Sequence, residues 1–181
     1  MNVSDRDPRR PGITFFDIAS SPLLDDTDMM SPPYLEESVY TELDLVPTGT
    51  GAHVKALYKG DVENGFSLVH AWFGRGYRLP QHSHNVDCLY YIVAGSAVLG
   101  KRVLRAGSGF FVPAGRRYAY VAGDGGVEVL EFRMSTSWDM QIYEQTVDRW
   151  RPIVAAAAAN QDEWLRTRPV DKGEKCDAQD T

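Results

Sequence analysis

The sequence predicts an all-β protein whose strands form an antiparallel sandwich or barrel. Between residues 53 and 134, short runs rich in β-branched and aromatic residues recur every ten or so positions. Each run is bounded by Gly, Pro or Asp, and no segment with helical spacing separates one run from the next. Strands that follow one another without crossover helices pair antiparallel, which leads to this fold class.

The chain has 181 residues, of which 43% are hydrophobic. This length supports one sizeable core and is too short for two ordinary domains. We therefore expect one barrel with added segments at its ends. These are a disordered lead at 1–12, an arm that packs on the barrel at 13–52, the barrel at 53–134, C-terminal helices at 135–166, and a disordered tail at 167–181.

The barrel is predicted to contain eight strands, joined by turns such as 59–65 and 123–126, which are rich in Gly, Asp and Asn. The expected strands are 53–58, 66–73, 80–84, 87–94, 96–100, 109–112, 117–122 and 126–133. The two chain ends lack apolar periodicity and are rich in charged residues, which is typical of disorder.

The segment before the barrel contains short apolar clusters that are broken by Pro22, Pro32 and Pro33, a pattern that favours an arm lying over a core. After the barrel, the apolar spacing becomes helical from Trp138 onward, and Pro152 opens an alanine-rich segment. This change of period predicts terminal helices.

The formal charge of −6 and the pI near 5.2 argue against nucleic acid or an anionic membrane surface as a partner. No apolar run approaches the roughly 18 to 20 residues that span a bilayer. The N-terminus has no apolar signal core, and Cys88 and Cys176 give no disulfide framework. We expect a cytoplasmic protein with free thiols.

The most informative residues for function are His82 and His84, which are separated by one residue. Because side chains alternate along a strand, they share one face with Cys88 and Tyr90. Two imidazoles on one face suit most first-row metals, but useful affinity requires a third ligand.

At these residues the chain resembles the cupin superfamily, whose members have a small antiparallel barrel or jelly roll. The family has two sequence motifs, each with marked residues at fixed spacing. Seven of the ten marked positions match in correct order and spacing. They are Gly76, His82, His84 and Gly95 in the first motif, and Gly107, Pro113 and Gly115 in the second. The resemblance covers roughly residues 53 to 133.

Three positions depart from the cupin pattern, and two of them usually hold metal ligands. Cys88 stands where the family has Glu, Tyr118 where it has the second-motif His, and Ala122 where it has Asn. The resemblance implies one divalent metal ion, which in this family is iron, zinc, manganese, nickel or copper. It also implies a homodimer. Because the superfamily hosts many activities, the fold alone selects no reaction.

Several residues are candidates to complete the metal site. His70 completes a three-histidine site if its strand faces inward, Cys88 supplies a thiolate, and Glu128 or Glu131 adds a carboxylate. Each has a structural alternative: Cys88 as a small buried hydrophobe, and His70 as a structural histidine. His53 is expected at the surface.

Tyr118 is the candidate catalytic residue, since a phenol next to the metal position donates a proton or anchors a substrate more readily than it coordinates. Trp72, Tyr90 and Tyr120 are expected to shape an apolar pocket. The glycine-rich run 107–115 is not a phosphate cradle, because no helix follows it.

These residues lead to two functional hypotheses. The first is a small-molecule enzyme that uses one divalent metal as a Lewis acid or oxygen activator, acting as an oxygenase, an isomerase or cyclase, or a lyase. The second is a metal-free cupin that binds a small organic ligand as a sensor or structural module.

Overall fold

The computed structural model describes residues 13–61 and 65–169. The expected disordered lead, nearly all of the expected tail including Cys176, and the middle of the predicted 59–65 turn lie outside the described residues. Within the described ranges, no helix combines the length and apolarity that crossing a membrane requires.

Eight strands and three α-helices follow one another along the described chain. The strands are β1 (Ala52–Lys59), β2 (Ser67–Phe73), β3 (His82–Ser83), β4 (Cys88–Leu99), β5 (Arg102–Arg105), β6 (Gly109–Val112), β7 (Val121–Arg133) and β8 (Gln141–Ile142). The helices are α1 (Glu37–Glu42), α2 (Val46–Thr50) and α3 (Val147–Thr167), preceded by a 3-10 turn at Leu24–Asp26.

All pairings between these strands are antiparallel, as the sequence predicts. The larger sheet has the order β1-β2-β7-β4-β5, and β6 pairs with the beginning of β4. A second, two-stranded sheet joins β3 to β8. An isolated bridge between His82 and Tyr118 connects β3 to the segment before β7, so the two expected motifs meet.

The core lies on the inner face of the larger sheet. Alternate residues of β4, β2 and β7 form it, as strand geometry requires. They include Tyr90, Ile92, Ala71, Phe73, Val127 and Val129.

Two predicted strands, 87–94 and 96–100, are one continuous strand, and the predicted turn at 123–126 lies inside β7. The reason is a close approach of two glycines with positive φ, Gly95 at +71° and Gly126 at +74°. A Cβ on Gly95 would collide with the carbonyl of Gly126. The glycines therefore form irregularities within paired strands instead of ending them.

The predicted strand 117–122 is mostly a loop, since β7 begins at Val121, and the strand predicted over 80–84 is reduced to β3. The strand β5 was absent from the prediction. It is short, and its sequence Arg-Val-Leu-Arg gave little apolar signal because this edge strand is largely exposed.

One helix follows the barrel where the sequence predicts helical structure from Trp138 onward. Trp138 packs against Leu24 and Met29 of the arm, and Ile142 lies in β8, where it pairs with His82 of β3. These tertiary contacts override the helical spacing. Pro152 also lies inside α3 and does not open it, because the helix begins at Val147.

The N-terminal residues cover two parts of the barrel. Leu24 and Met29 pack with Ala56 and Val69, and a second cluster joins Val39 to residues near α3. Leu24, Asp25 and Met30 of the arm also line a cavity inside the barrel.

Candidate active site

The barrel encloses a cavity of about 230 Å³. Its wall carries two histidines, four tyrosines, Asp25 and one buried ion pair, surrounded by apolar side chains. The polar residues that argue for function are His82, His84, Tyr90, Tyr118, Tyr120, Glu131 and Arg133. The volume lies below the roughly 300 Å³ at which drug-sized sites begin, so the cavity suits a small ligand.

His82 and His84 are both buried, with ring centroids 5.1 Å apart. The Nδ1 atom of His82 lies 2.8 Å from the carbonyl oxygen of Pro80, and that of His84 lies 2.6 Å from the carbonyl oxygen of Asp139. Because a carbonyl only accepts, each Nδ1 carries the hydrogen. Each neutral ring therefore has its lone pair on Nε2.

Both imidazoles are neutral at physiological pH. The pKa of His82 is lowered to about 4, mainly by burial and to a smaller extent by the nearby His84, against the raising effect of the Pro80 hydrogen bond. Burial is also the largest cause that lowers the pKa of His84, followed by the charge of Arg133. A neutral imidazole with a free Nε2 is the form in which histidine coordinates a metal.

Tyr118 lies beside the histidine pair, with its ring centroid 4.3 Å from that of His82. The backbones of His82 and Tyr118 exchange two hydrogen bonds of 3.0 Å, which fixes this position. The hydroxyl groups of Tyr118 and Tyr90 are hydrogen-bonded to each other. Burial raises the pKa of both phenols well above its ordinary value. Tyr118 therefore remains a proton donor.

Arg133 and Glu131 form a buried ion pair in the same wall, with Nη2 2.7 Å from Oε2. The guanidinium also lies over the ring of Trp138, at 4.3 Å from the centroid. Burial is the largest single cause and lowers the pKa of Arg133, but Glu131, Tyr90 and Cys88 together raise it by more, so the pKa is above its ordinary value. The cavity thus contains a permanent cation. Sequence reasoning did not include Arg133, although it shares the strand parity of Glu131 on β7.

Cys88 lies on the inner face of β4 but does not line the cavity. Burial raises the pKa of its thiol to about 12, so the side chain is an uncharged part of the apolar core.

The structure does not bring His70 and Trp72 to the cavity. On β2, Val69, Ala71 and Phe73 face the core, so the residues between them face outward. The Nε2 atom of His70 lies 3.3 Å from Glu128 Oε2, and Trp72 packs against α3. The sequence could not reveal this, because α3 covers the outer face and all seven β2 residues are buried.

His53 was expected at the surface, but its side chain is buried. His53 lies opposite Trp72 in the β1–β2 pairing, on the face of the sheet that α3 covers at Trp72. This histidine does not line the cavity.

The described residues of this cavity offer a metal ion two histidine ligands. Among residues 13–61 and 65–169, no group of three or more His, Cys, Asp or Glu side chains is arranged to hold a metal. His82 and His84 supply two nitrogen donors with the correct tautomer, while Glu131 is engaged with Arg133.

No protein-family model and no curated protein matches the chain. The chain is similar in structure to a cupin-like protein of unknown function from Ralstonia eutropha, at 18% identity over 84% of this chain and 90% of that one, with a TM-score of 0.48. It is also similar to KdgF from Halomonas sp., at 25% identity over 50% and 83% of the two chains, with a TM-score of 0.42.

A third similar structure is the polyketide cyclase RemF from Streptomyces resistomycificus, at 18% identity over 59% of this chain and 84% of that one, with a TM-score of 0.47. The strand arrangement of the present chain is itself the antiparallel barrel expected from the two motifs. The antiparallel strand order, followed by a C-terminal helix, confirms the all-β fold class that the sequence predicts.

Proposed function

We propose that the cavity is the active site of a small-molecule enzyme in which His82 and His84 hold one divalent metal ion. One observation carries this proposal: both Nδ1–H groups donate to backbone carbonyls, which leaves both Nε2 lone pairs available. Metal-ligating histidines almost always donate their second ring N–H in this way, because the bond fixes the tautomer and the ring orientation.

When bound, a divalent metal supplies Lewis-acid polarisation of a substrate oxygen. With two protein ligands, most coordination positions remain available to the substrate and to water. The aromatic walls exclude bulk water from the bound molecule, which strengthens the electrostatic effect of every polar group around it.

Tyr118 serves as the proton donor in this proposal. Its hydroxyl stays protonated, is oriented by Tyr90, and lies on the same wall as His82. A donor fixed in this position stabilises negative charge that develops on a substrate oxygen, at little reorganisation cost.

This donor set favours proton-transfer chemistry, as in an isomerase, cyclase or lyase, over oxygen activation. Non-haem iron oxygenases commonly use two histidines and one carboxylate. Here the Glu131 carboxylate is held by Arg133 instead of standing free beside the histidines. Oxygenase activity becomes the better proposal if iron binding displaces this ion pair.

Calorimetric titration of tag-free protein with Zn²⁺, Mn²⁺, Fe²⁺, Ni²⁺ and Cu²⁺ tests the metal site. We expect one site per chain for at least one metal, weakened at least about 100-fold in His82→Ala and in His84→Ala. His70→Ala is the matched control, since it removes a buried imidazole on the other face, and it should leave the affinity unchanged. Absence of stoichiometric binding by the parent refutes the proposal.

The second candidate is a metal-free cavity that binds a small organic ligand for acid–base chemistry or sensing. It is favoured by the protonated states of Cys88 and Tyr118, which occupy two usual ligand positions of the family. Thermal unfolding separates the candidates, because a ligand that binds the native state raises the melting temperature. Stabilisation by small organic molecules, with none from metals, selects the metal-free reading.

The expected homodimer is also part of this proposal. Ile13, Phe15 and Phe16 are exposed apolar residues at the start of the N-terminal arm, where a second copy would cover them. Sedimentation equilibrium at micromolar concentration tests it, and a monomer would contradict it.

A further inference from the structure

Two residues of the cavity wall carry buried hydrogen-bond donors without a partner in the described part of the chain. These are the Nε and Nη1 groups of Arg133 and the hydroxyl of Tyr120. The Nη2 group of Arg133 pairs with Glu131, and one face of the guanidinium lies against the ring of Trp138. The Nε and Nη1 groups remain without an acceptor among the described residues. Arg133 and Tyr120 line the same cavity as the proposed metal ligands His82 and His84.

Buried donors of this kind need an explanation, since most buried polar groups in native proteins are hydrogen-bonded. Leaving them unmatched is costly, and most costly for a charged group. The ion pair with Glu131 keeps the guanidinium charged, but it does not use the remaining N–H groups. An acceptor brought by a ligand would use them.

We propose that this cavity takes a small organic carboxylate, whose anionic group accepts hydrogen bonds from Arg133. The inference rests on the proposed function, because it names the substrate class of the same site. The Tyr120 hydroxyl is a second donor, and the rest of the molecule extends towards Tyr118 and the histidine pair. A divalent metal at that pair would balance the added negative charge beside Glu131.

The chemistry of the wall favours a carboxylate over a phosphate. A planar guanidinium matches the geometry of a planar carboxylate. Arg133 is the single Lys or Arg among the described residues that line the cavity, whereas Glu131 and Asp25 both line it, and this charge balance disfavours a dianion. The small volume and the aromatic side chains suit a compact molecule with an apolar body.

Matched pairs of probes test the inference, namely benzoate with benzamide and pyruvate with pyruvamide. Within each pair the shape is nearly constant and only the charged acceptor changes. We expect at least one carboxylate to bind at least tenfold more tightly than its amide, which corresponds to about 1.4 kcal/mol. If no carboxylate binds at millimolar concentration, or if none exceeds its amide, the inference is wrong.

Two variants show which residues produce the preference for a carboxylate over its amide. The double variant Arg133→Met/Glu131→Gln removes both charges together and avoids an unpaired buried carboxylate, and it should abolish the preference while still binding metal. His82→Ala should lose metal and keep the preference. If His82→Ala loses the preference and the double variant keeps it, the carboxylate binds the metal. That result overturns this inference and leaves the proposed function intact.

A measurement on the unaltered protein covers the case in which the double variant does not fold. In ¹⁵N-labelled parent protein, the Arg133 Nε–H signal is identified by its absence in Arg133→Lys. Addition of the bound carboxylate should shift this signal, while the matched amide should not. An Arg133 signal that is unchanged at saturating carboxylate contradicts the inference.

Discussion

The two faces of β4 are both apolar in sequence, yet the structure uses them differently. Cys88, Tyr90 and Ile92 on the inner face are at most 1% exposed. The intervening residues Leu89, Tyr91 and Val93 on the outer face are 50%, 47% and 45% exposed. Hydrophobicity therefore does not distinguish the face that builds the cavity from the face that meets solvent, but strand parity does.

The inner face differs from the outer face in its polar groups. Around the cavity, polar groups are held by specific contacts. The imidazole of His82 is hydrogen-bonded to a backbone carbonyl, the hydroxyls of Tyr90 and Tyr118 are hydrogen-bonded to each other, and the guanidinium of Arg133 lies over the Trp138 ring. The outer histidine, His70, instead meets the partly exposed Glu128. Three measurements probe this difference between the two faces.

The largest difference is expected in thiol reactivity at adjacent positions. In a Cys176→Ser background, native Cys88 should react with a maleimide on the order of 1,000-fold more slowly than Leu89→Cys in a Cys88→Ala chain. The inner thiol has its pKa raised from 9.0 to about 12 by burial, and the thiolate is the reacting form. Stopped-flow labelling measures both rates. Similar rates would contradict the assignment of the two faces.

Truncation of neighbouring core and surface residues should differ next. Ile92→Ala should lower the free energy of unfolding by about 3 kcal/mol, because it leaves a cavity in a fully buried site. Val93→Ala should lower it by less than about 1 kcal/mol, since its side chain is already half exposed. Urea denaturation of both variants provides the comparison, and equal losses would show that the outer face is also covered.

The smallest effect concerns pH. Folding lowers the pKa of His82 from 6.5 to about 4, so the unfolded chain takes up the proton first as the pH falls. The resulting stability is present above pH 6.5 and is lost towards pH 4. In chelator-treated protein, the parent should lose about 2 kcal/mol more than His82→Gln between pH 7 and pH 5. Parallel stability curves would mean that His82 is not desolvated.

The sequence was sufficient to predict the antiparallel fold and the histidine pair of the candidate site. Strand-forming runs without helices predicted the antiparallel fold, and Gly100, Gly107 and Gly115 lie in turns with positive φ. The spacing of His82 and His84 predicted a shared face, which the structure realises at the cavity. These are local properties, and local sequence encodes them.

Other parts depended on tertiary contacts that no local pattern contains. His70 faces away from the cavity by strand parity, and because every residue of β2 is buried, with α3 packed on Trp72, burial does not reveal which face points inward. Arg133 was missed because a charged residue at a strand end is typical of solvent exposure, whereas here Glu131 and Trp138 surround it. Gly95 and Gly126 predicted breaks because their mutual contact across two strands is nonlocal.

The central claim is that the inner histidine pair, and not the outer histidine, holds a metal ion. An anomalous difference map from crystals of protein grown with Zn²⁺ and collected at the zinc edge tests this most directly. The account predicts one peak about 2.0–2.1 Å from the Nε2 atoms of both His82 and His84. A peak between His70 and Glu128, or no peak at the inner pair, would contradict it.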